Sequence, residues 1–429
     1  MQKRFLLSLL LLSGTLTVSA QDPQFYNYYT LAKEAYQKKD YEANYTNLKE
    51  ANRLHPYHQI IQYRLGIAAA LTNRPEEAIG YLKKAILADA SLKLKDNDDL
   101  TVIKNRKDFQ DLLVLQEKLS SPVIQSDTAF VLKDRTLHTE GIEYNRGNKT
   151  FYLGSIHKRK VVQVNEKGEV SDFCSSAFEG MTSVFGLKVD AKKNVLWVCS
   201  SPMPEMEDYD STLRSAVFKF DLKTGKLLKK YFLENGKPEG TFGDLILTQK
   251  GEVIVSDSRT NTIYKVNEAA NQLESIFSSK EFWNIQGMAF SPDEKYLFVS
   301  DYIKGLFIVN MATKEIKQLE NLTESSLKGV DGLYFYKNSL ITIQNGITPF
   351  RVTRYTLNKE FTALTRFEII DRAHPAFGEP TLGVLVGQSL YYIANSQWGG
   401  YEEGKQKSPD LLQDIVILKA KIEINRSSR

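Results

Sequence analysis

Glu140, Gln286 and Asp331 occupy the same place in three copies of a repeated segment. Two acids and an amide converging on one point can hold a hard cation through oxygen. The segment occurs six times, opening as TEGIEYN at Thr139, VFGLKVD at Val184, TFGDLIL at Thr241, IQGMAFS at Ile285, VDGLYFY at Val330 and EPTLGVL at Glu379. Each copy reads as a short apolar strand, a turn and a second apolar strand. Anchored on Glu140, Phe185, Gly243, Gln286, Asp331 and Pro380, the steps are 45, 58, 43, 45 and 49 residues. That is the spacing of four-stranded blades, and it predicts an all-β six-bladed propeller. The innermost strand of each blade starts near a common axis, so these six residues converge. Glu140 and Asp331 repel on so narrow a ring unless a divalent cation sits between them, calcium first and magnesium or manganese second.

Asp244 and Thr381 stand one place beyond their anchors, and Asp244 can position a substrate or a water. The second strands end in Asp257, Asp301, Asn345 and Asn395, which a hairpin returns to the same face. They can touch substrate, or their short polar side chains can simply form turns. Phe185, Phe242, Trp283 and Trp398 can stack on a sugar ring or pack between blades. His138 and His374 are the histidines near the mouth, as general bases or as solvated side chains. No nucleophile elbow, phosphate loop or HExxH helix occurs.

At Glu140-Gly141-Ile142, at the run from Gln286 to Asp293 and at Asp331-Gly332-Leu333, the chain resembles the gluconolactonase and regucalcin-like (SMP-30-type) propellers, and more distantly the paraoxonases. The resemblance implies a lactonase in which one divalent metal polarises the lactone carbonyl for attack by water. It implies Glu140, Gln286 and Asp331 as metal ligands and Asp244 and Asp331 as catalytic residues; by their places at the mouth, Phe185, Trp283, Asp301 and Asn345 are expected against substrate. Two positions depart from the family pattern: Gln286 replaces an Asn ligand, and Gly243 replaces a blade-three Asn that meets substrate.

Ahead of the propeller segment (126–422), residues 25–119 carry helical periodicity with a 34-residue step. Small residues at Ala32, Ala51, Gly66, Ala69, Ala78 and Ala85 match the close-packing positions of tetratricopeptide repeats. Two copies are few for a free-standing solenoid, so this all-α region leans on the propeller or on a protein partner. DTAFVLKD at Asp127 is expected to serve as the outer strand of the last blade, closing the ring with DIVILKAKI at Asp414. Two long inserts, from Ser201 and from Ser396, follow the second strands of blades two and six and are expected on one face.

Residues 1–20 read as a cleavable signal peptide: Lys3 and Arg4, an apolar run, then Val18-Ser19-Ala20. A periplasmic or secreted protein without membrane insertion is expected. Without Lys3 and Arg4 the chain has 54 basic and 52 acidic residues, which gives no electrostatic case for nucleic acid. Cys174 and Cys199 are the only cysteines, either paired or buried as small hydrophobes. Two functions fit this sequence. One is an exported calcium-dependent hydrolase of a lactone or sugar-acid ester. The other is a non-catalytic scaffold that uses the propeller face and the helical groove.

Overall fold

The computed structural model describes residues 23–234, 240–402 and 404–423; the expected signal peptide, residues 1–20, lies outside them. The chain has a propeller-like fold with a small helical region at its N-terminal end.

Five α-helices, α1 (Pro23–Gln37), α2 (Tyr41–Leu54), α3 (Gln59–Leu71), α4 (Pro75–Ala88) and α5 (Lys107–Ser120), pack around Leu48, Leu65, Leu82 and Phe109. Asp40 caps α2 by accepting from the Ala43 amide at 3.0 Å, and Pro75 supplies the fixed φ that suits the first turn of α4. Gly66 lets α3 and α4 approach, since a Cβ there would stand 2.7 Å from Leu82 Cγ. The turn-rich stretch after Ser91 folds as a 3-10 helix (Asp98–Ile103) before α5.

The strands follow one another as antiparallel meanders. Thr139–Asn145, Thr150–Ser155, Lys160–Val164 and Val170–Cys174 pair in sequence order, as do Ile285–Phe290, Tyr296–Asp301, Gly305–Asn310 and Ile316–Gln318. The second and third copies fuse into one eight-stranded sheet, because Gln272–Ser278 runs parallel to Leu227–Leu233. The fifth copy gains a parallel two-residue strand, Glu320–Asn321. In the last sheet Ser126–Leu132 pairs antiparallel with Ile415–Lys421, which itself lies beside Ser389–Ile393. The edge of the final meander is thereby covered by the start of the propeller segment. Cys174 and Cys199 are both buried and unpaired, the first in the edge strand of its meander and the second in the strand Val195–Ser201.

The first strands touch one another in a closed circuit. A side chain at Gly141 would run into the Phe185 carbonyl, and one at Gly186 would stand 2.7 Å from Asp244 Oδ1. Gly243 faces Gln286, a side chain at Gly287 would strike the Asp331 carbonyl, and one at Gly332 would stand 3.1 Å from the Thr381 carbonyl. Thr381 closes the loop by donating its hydroxyl to the Glu140 carbonyl at 3.1 Å.

The helices lean on this body. Asp89 bridges to Thr348, Val123 to Arg372, and the α2–α3 turn packs His55 and Tyr57 on Trp283, with centroids 6.0 and 5.8 Å apart. Lys328 donates its ammonium to the Tyr57 carbonyl.

Candidate active site

Five of the six first strands are broken at the same place. The register slips between Thr139 and Ile142, Val184 and Leu187, Phe242 and Leu245, Ile285 and Met288, and Val330 and Leu333. The slipped dipeptides are Glu140-Gly141, Phe185-Gly186, Gly243-Asp244, Gln286-Gly287 and Asp331-Gly332. A bulge leaves its residues out of the ladder and re-aims a side chain. Here the first residue is freed to face its counterparts, and the glycine behind it admits the neighbouring strand. The third copy inverts the order: Gly243 takes the place that faces the other copies, and Asp244 fills the room left by Gly186.

Glu140 is 7 % exposed, and its Oε2 accepts from the Ser396 hydroxyl at 2.6 Å and from Trp398 Nε1 at 3.0 Å. Both donors come from the second long insert, whose residue Gly404 abuts Pro204 of the first insert. Burial, and then the charge of Asp331, pushes the Glu140 carboxyl well above the ordinary carboxylate range, against the pull of Ser396 and Trp398. Asp331 is pushed up to about 7 by burial, opposed by a 2.8 Å hydrogen bond from Asn345 Nδ2 and reinforced by Asp244. Asn345 Oδ1 in turn accepts from the Tyr302 hydroxyl at 2.9 Å.

Two residues of this centre escape a reading of the sequence. Glu379 lies one place before the anchor Pro380, and burial plus the Asp331 charge raises its carboxyl to about 7. Its φ of 82° is a left-handed conformation unusual outside glycine, and such strain concentrates at functional sites. A positive-φ acid leaves no mark in strand periodicity. Tyr302 feels the charges of Asp331, Glu379 and Glu140 together, but in sequence it is only the residue after a turn acid.

The other predicted residues sort by their contacts. The Gln286 amide donates to Asn284 Oδ1 at 2.5 Å, and its Oε1 lies 3.6 Å from where a Gly243 Cβ would stand. Phe185 is buried beside Trp398, rings stacked at 6.5 Å. Trp283 faces the helical turn and Lys304 rather than the acids. Asp301 takes the turn-forming role: its carboxylate accepts from the Trp283, Asn284, Ile303 and Lys304 amides at 2.5–3.0 Å, leaving little for a substrate. Asp244 is raised to about 6 by burial, with Lys188 pulling it down, and its Oδ1 accepts from the Leu245 amide at 2.8 Å. His138 is wholly buried between Trp398 and Tyr401 and its imidazole is pushed down to about 3, while His374 Nδ1 accepts from the Ala376 amide.

Among the described residues no group of three or more His, Cys, Asp or Glu is arranged to hold a metal. The donor chemistry of Glu140, Asp331 and the Gln286 amide oxygen nonetheless suits a hard cation. The charges acting on the two acids are those of other acids, and the Gln286 oxygen faces a gap. Chemically the centre can do one of two things at neutral pH: hold protons between acids, or take up a cation.

No protein-family model and no curated protein matches the chain. Among solved structures it is similar to a gluconolactonase from Xanthomonas campestris at 15% identity, covering 70% of this chain and 94% of that one with a TM-score of 0.48. It is similar to a calcium-binding regucalcin from Agrobacterium tumefaciens at 16% identity, with 68% and 93% covered and a TM-score of 0.47. A virginiamycin B lyase from Staphylococcus aureus gives 12% identity, 71% and 90% coverage and a TM-score of 0.46. At these identities and scores the likeness assigns no activity to this chain.

Proposed function

We propose that the protein is an exported, calcium-dependent hydrolase of a lactone or small sugar-acid ester, built on six blades behind tetratricopeptide-like helices. The observation that carries this reading is the buried Glu140 and Asp331 pair, bulged out of the ladders of the first and fifth copies and provided with neutral donors instead of a basic partner. Glu140, Asp331 and Gln286 would hold the cation, which when bound supplies electrophilic polarisation of a carbonyl. Asn345 fixes one Asp331 oxygen, and the Tyr302 hydroxyl fixes Asn345, so the carboxylate is oriented before any ligand arrives. Trp398 stacks on Phe185 and donates its indole N–H to Glu140, which fixes the second carboxylate. A cleavable signal peptide at residues 1–20 would carry the mature chain to the periplasm or outside the cell.

Calcium should raise the melting temperature of the mature protein by mass action, and Asp331→Ala should abolish the rise. Hydrolysis of small aldonolactones should then depend on calcium and fail in the same variant. A protein that binds no divalent cation at pH 8 would end this reading.

A second reading, a scaffold that recruits a protein partner, is favoured by one observation. Tyr26, Leu31, Tyr36 and Ile60 of α1 and α3 are each 41–47% exposed, more apolar surface than these two helices need for their own packing.

A further inference from the structure

Three residues beyond Glu140, Phe185 and Asp331 along the same strands stand Glu143, Lys188 and Tyr334. Lys188 Nζ lies 3.1 Å from Glu143 Oε2, and the side chains are only 22% and 10% exposed. The charge of Asp244, 7 % exposed, also acts on Lys188. Tyr334 accepts the Gly383 amide at 2.5 Å and senses both Asp244 and Glu143, so these residues share one space below the acidic centre. The axis thus has two layers. The upper one, Glu140, Asp331 and Glu379, has no basic side chain among its partners in the described residues. The lower one has two acids and an ammonium.

We propose that Lys188 is a built-in cation: its ammonium fills a second cation position in the axis, made by Glu143 and Asp244, and so restricts the axis to one external cation. The inference rests on the reading of the upper layer as a cation site, but it reaches a different residue. An ammonium is a compact point charge with three donors, suited to replace a bound ion between two carboxylates. Removing one member of a buried ion pair leaves the other charges uncompensated, which is strongly unfavourable. In a site with two acids the compensation open to the protein at alkaline pH is an external cation. Lys188 in this account is a positioning residue: it makes no contact with a ligand of the upper layer and acts by neutralising the floor beneath it.

The test is calcium titration by calorimetry at pH 8 on full-length mature protein. Wild type and Lys188→Arg should take up one equivalent, Lys188→Met two, Asp331→Ala none, and the Lys188→Met/Asp331→Ala double variant one. A merely structural lysine would lower stability without changing stoichiometry. If Lys188→Met does not fold, Lys188→Gln, which keeps a donor toward Glu143, carries the same titration. Equal stoichiometry in wild type and a folded, uncharged variant overturns the proposal. Absence of uptake by wild type, with one equivalent gained by Lys188→Met, would instead remove the upper site and leave the role of Lys188 standing.

Discussion

Asp301 and Asp331 belong to adjacent copies of the repeat and carry the same functional group, yet their surroundings are opposite. Asp301 ends a second strand, and four backbone amides converge on its carboxylate. Asp257 does the same one copy earlier, accepting from the Thr241, Arg259 and Thr260 amides and from the Thr260 hydroxyl. Asp331 opens a first strand, and its hydrogen bond comes from a neutral side-chain amide, with other acids as its electrostatic neighbours. The turn acids are buried and satisfied, and they hold hairpins together. The axial acids are left electrostatically unfinished, a cost that makes sense where something else completes them.

The largest way to test that contrast is Asp301→Ala. It strips the acceptor from four amides at once and should destabilise the protein by about 4 kcal/mol, read from the urea midpoint at unchanged slope. A loss below about 1 kcal/mol would mean that water satisfies those amides equally well.

Asp331→Asn should act in the other direction. The folded value of about 7 lies above the ordinary 3.8, so the folded state binds more protons, and stability is lost as pH rises from about 4 through 7. In chelator at pH 8 the asparagine variant should therefore be more stable than wild type, by on the order of 2 kcal/mol. At pH 3 the two should converge. A destabilised asparagine variant at pH 8 would place Asp331 with the turn acids.

The smallest effect separates side chain from backbone in one residue. The Trp283 amide serves Asp301, while its indole serves the helices. Trp283→Ala keeps the amide and should cost about 1 kcal/mol, appearing as faster hydrogen exchange in α2 and α3. The calcium response of the axial acids should not change.

Much of this arrangement can be read from the sequence, and the reasons are local. The six openings and the pairing of DTAFVLKD with the final strand follow from period-two alternation and from the need to cover sheet edges. The small residues of α1 to α4 announce close helix packing, and Gly66 shows why. The bulge was in view as a residue-glycine dipeptide in four copies, but alternation alone cannot tell a slipped register from a continuous strand. The inversion at Gly243-Asp244 has its meaning only through Gly186, a residue 58 positions away from Asp244. Glu379 depends on a single backbone angle, and the ion pair of Lys188 with Glu143 joins two strands whose spacing carries no motif. Such cross-strand contacts are fixed by the closure of the whole body and not by any segment.

The pairing of Ser126–Leu132 with Ile415–Lys421 has a consequence in time as well as in space. A ribosome makes the first of these strands nearly 290 residues before it makes its partner. Until the second emerges, the earlier strand and the outer edge of Ser389–Ile393 have no ladder to complete, so the nascent chain can fold its helices and early meanders but cannot seal the circle. Loss of the strand Ile415–Lys421 would then be felt far back along the chain, where Val123 and Ser121 tether the helices to Arg372 just ahead of that same first strand.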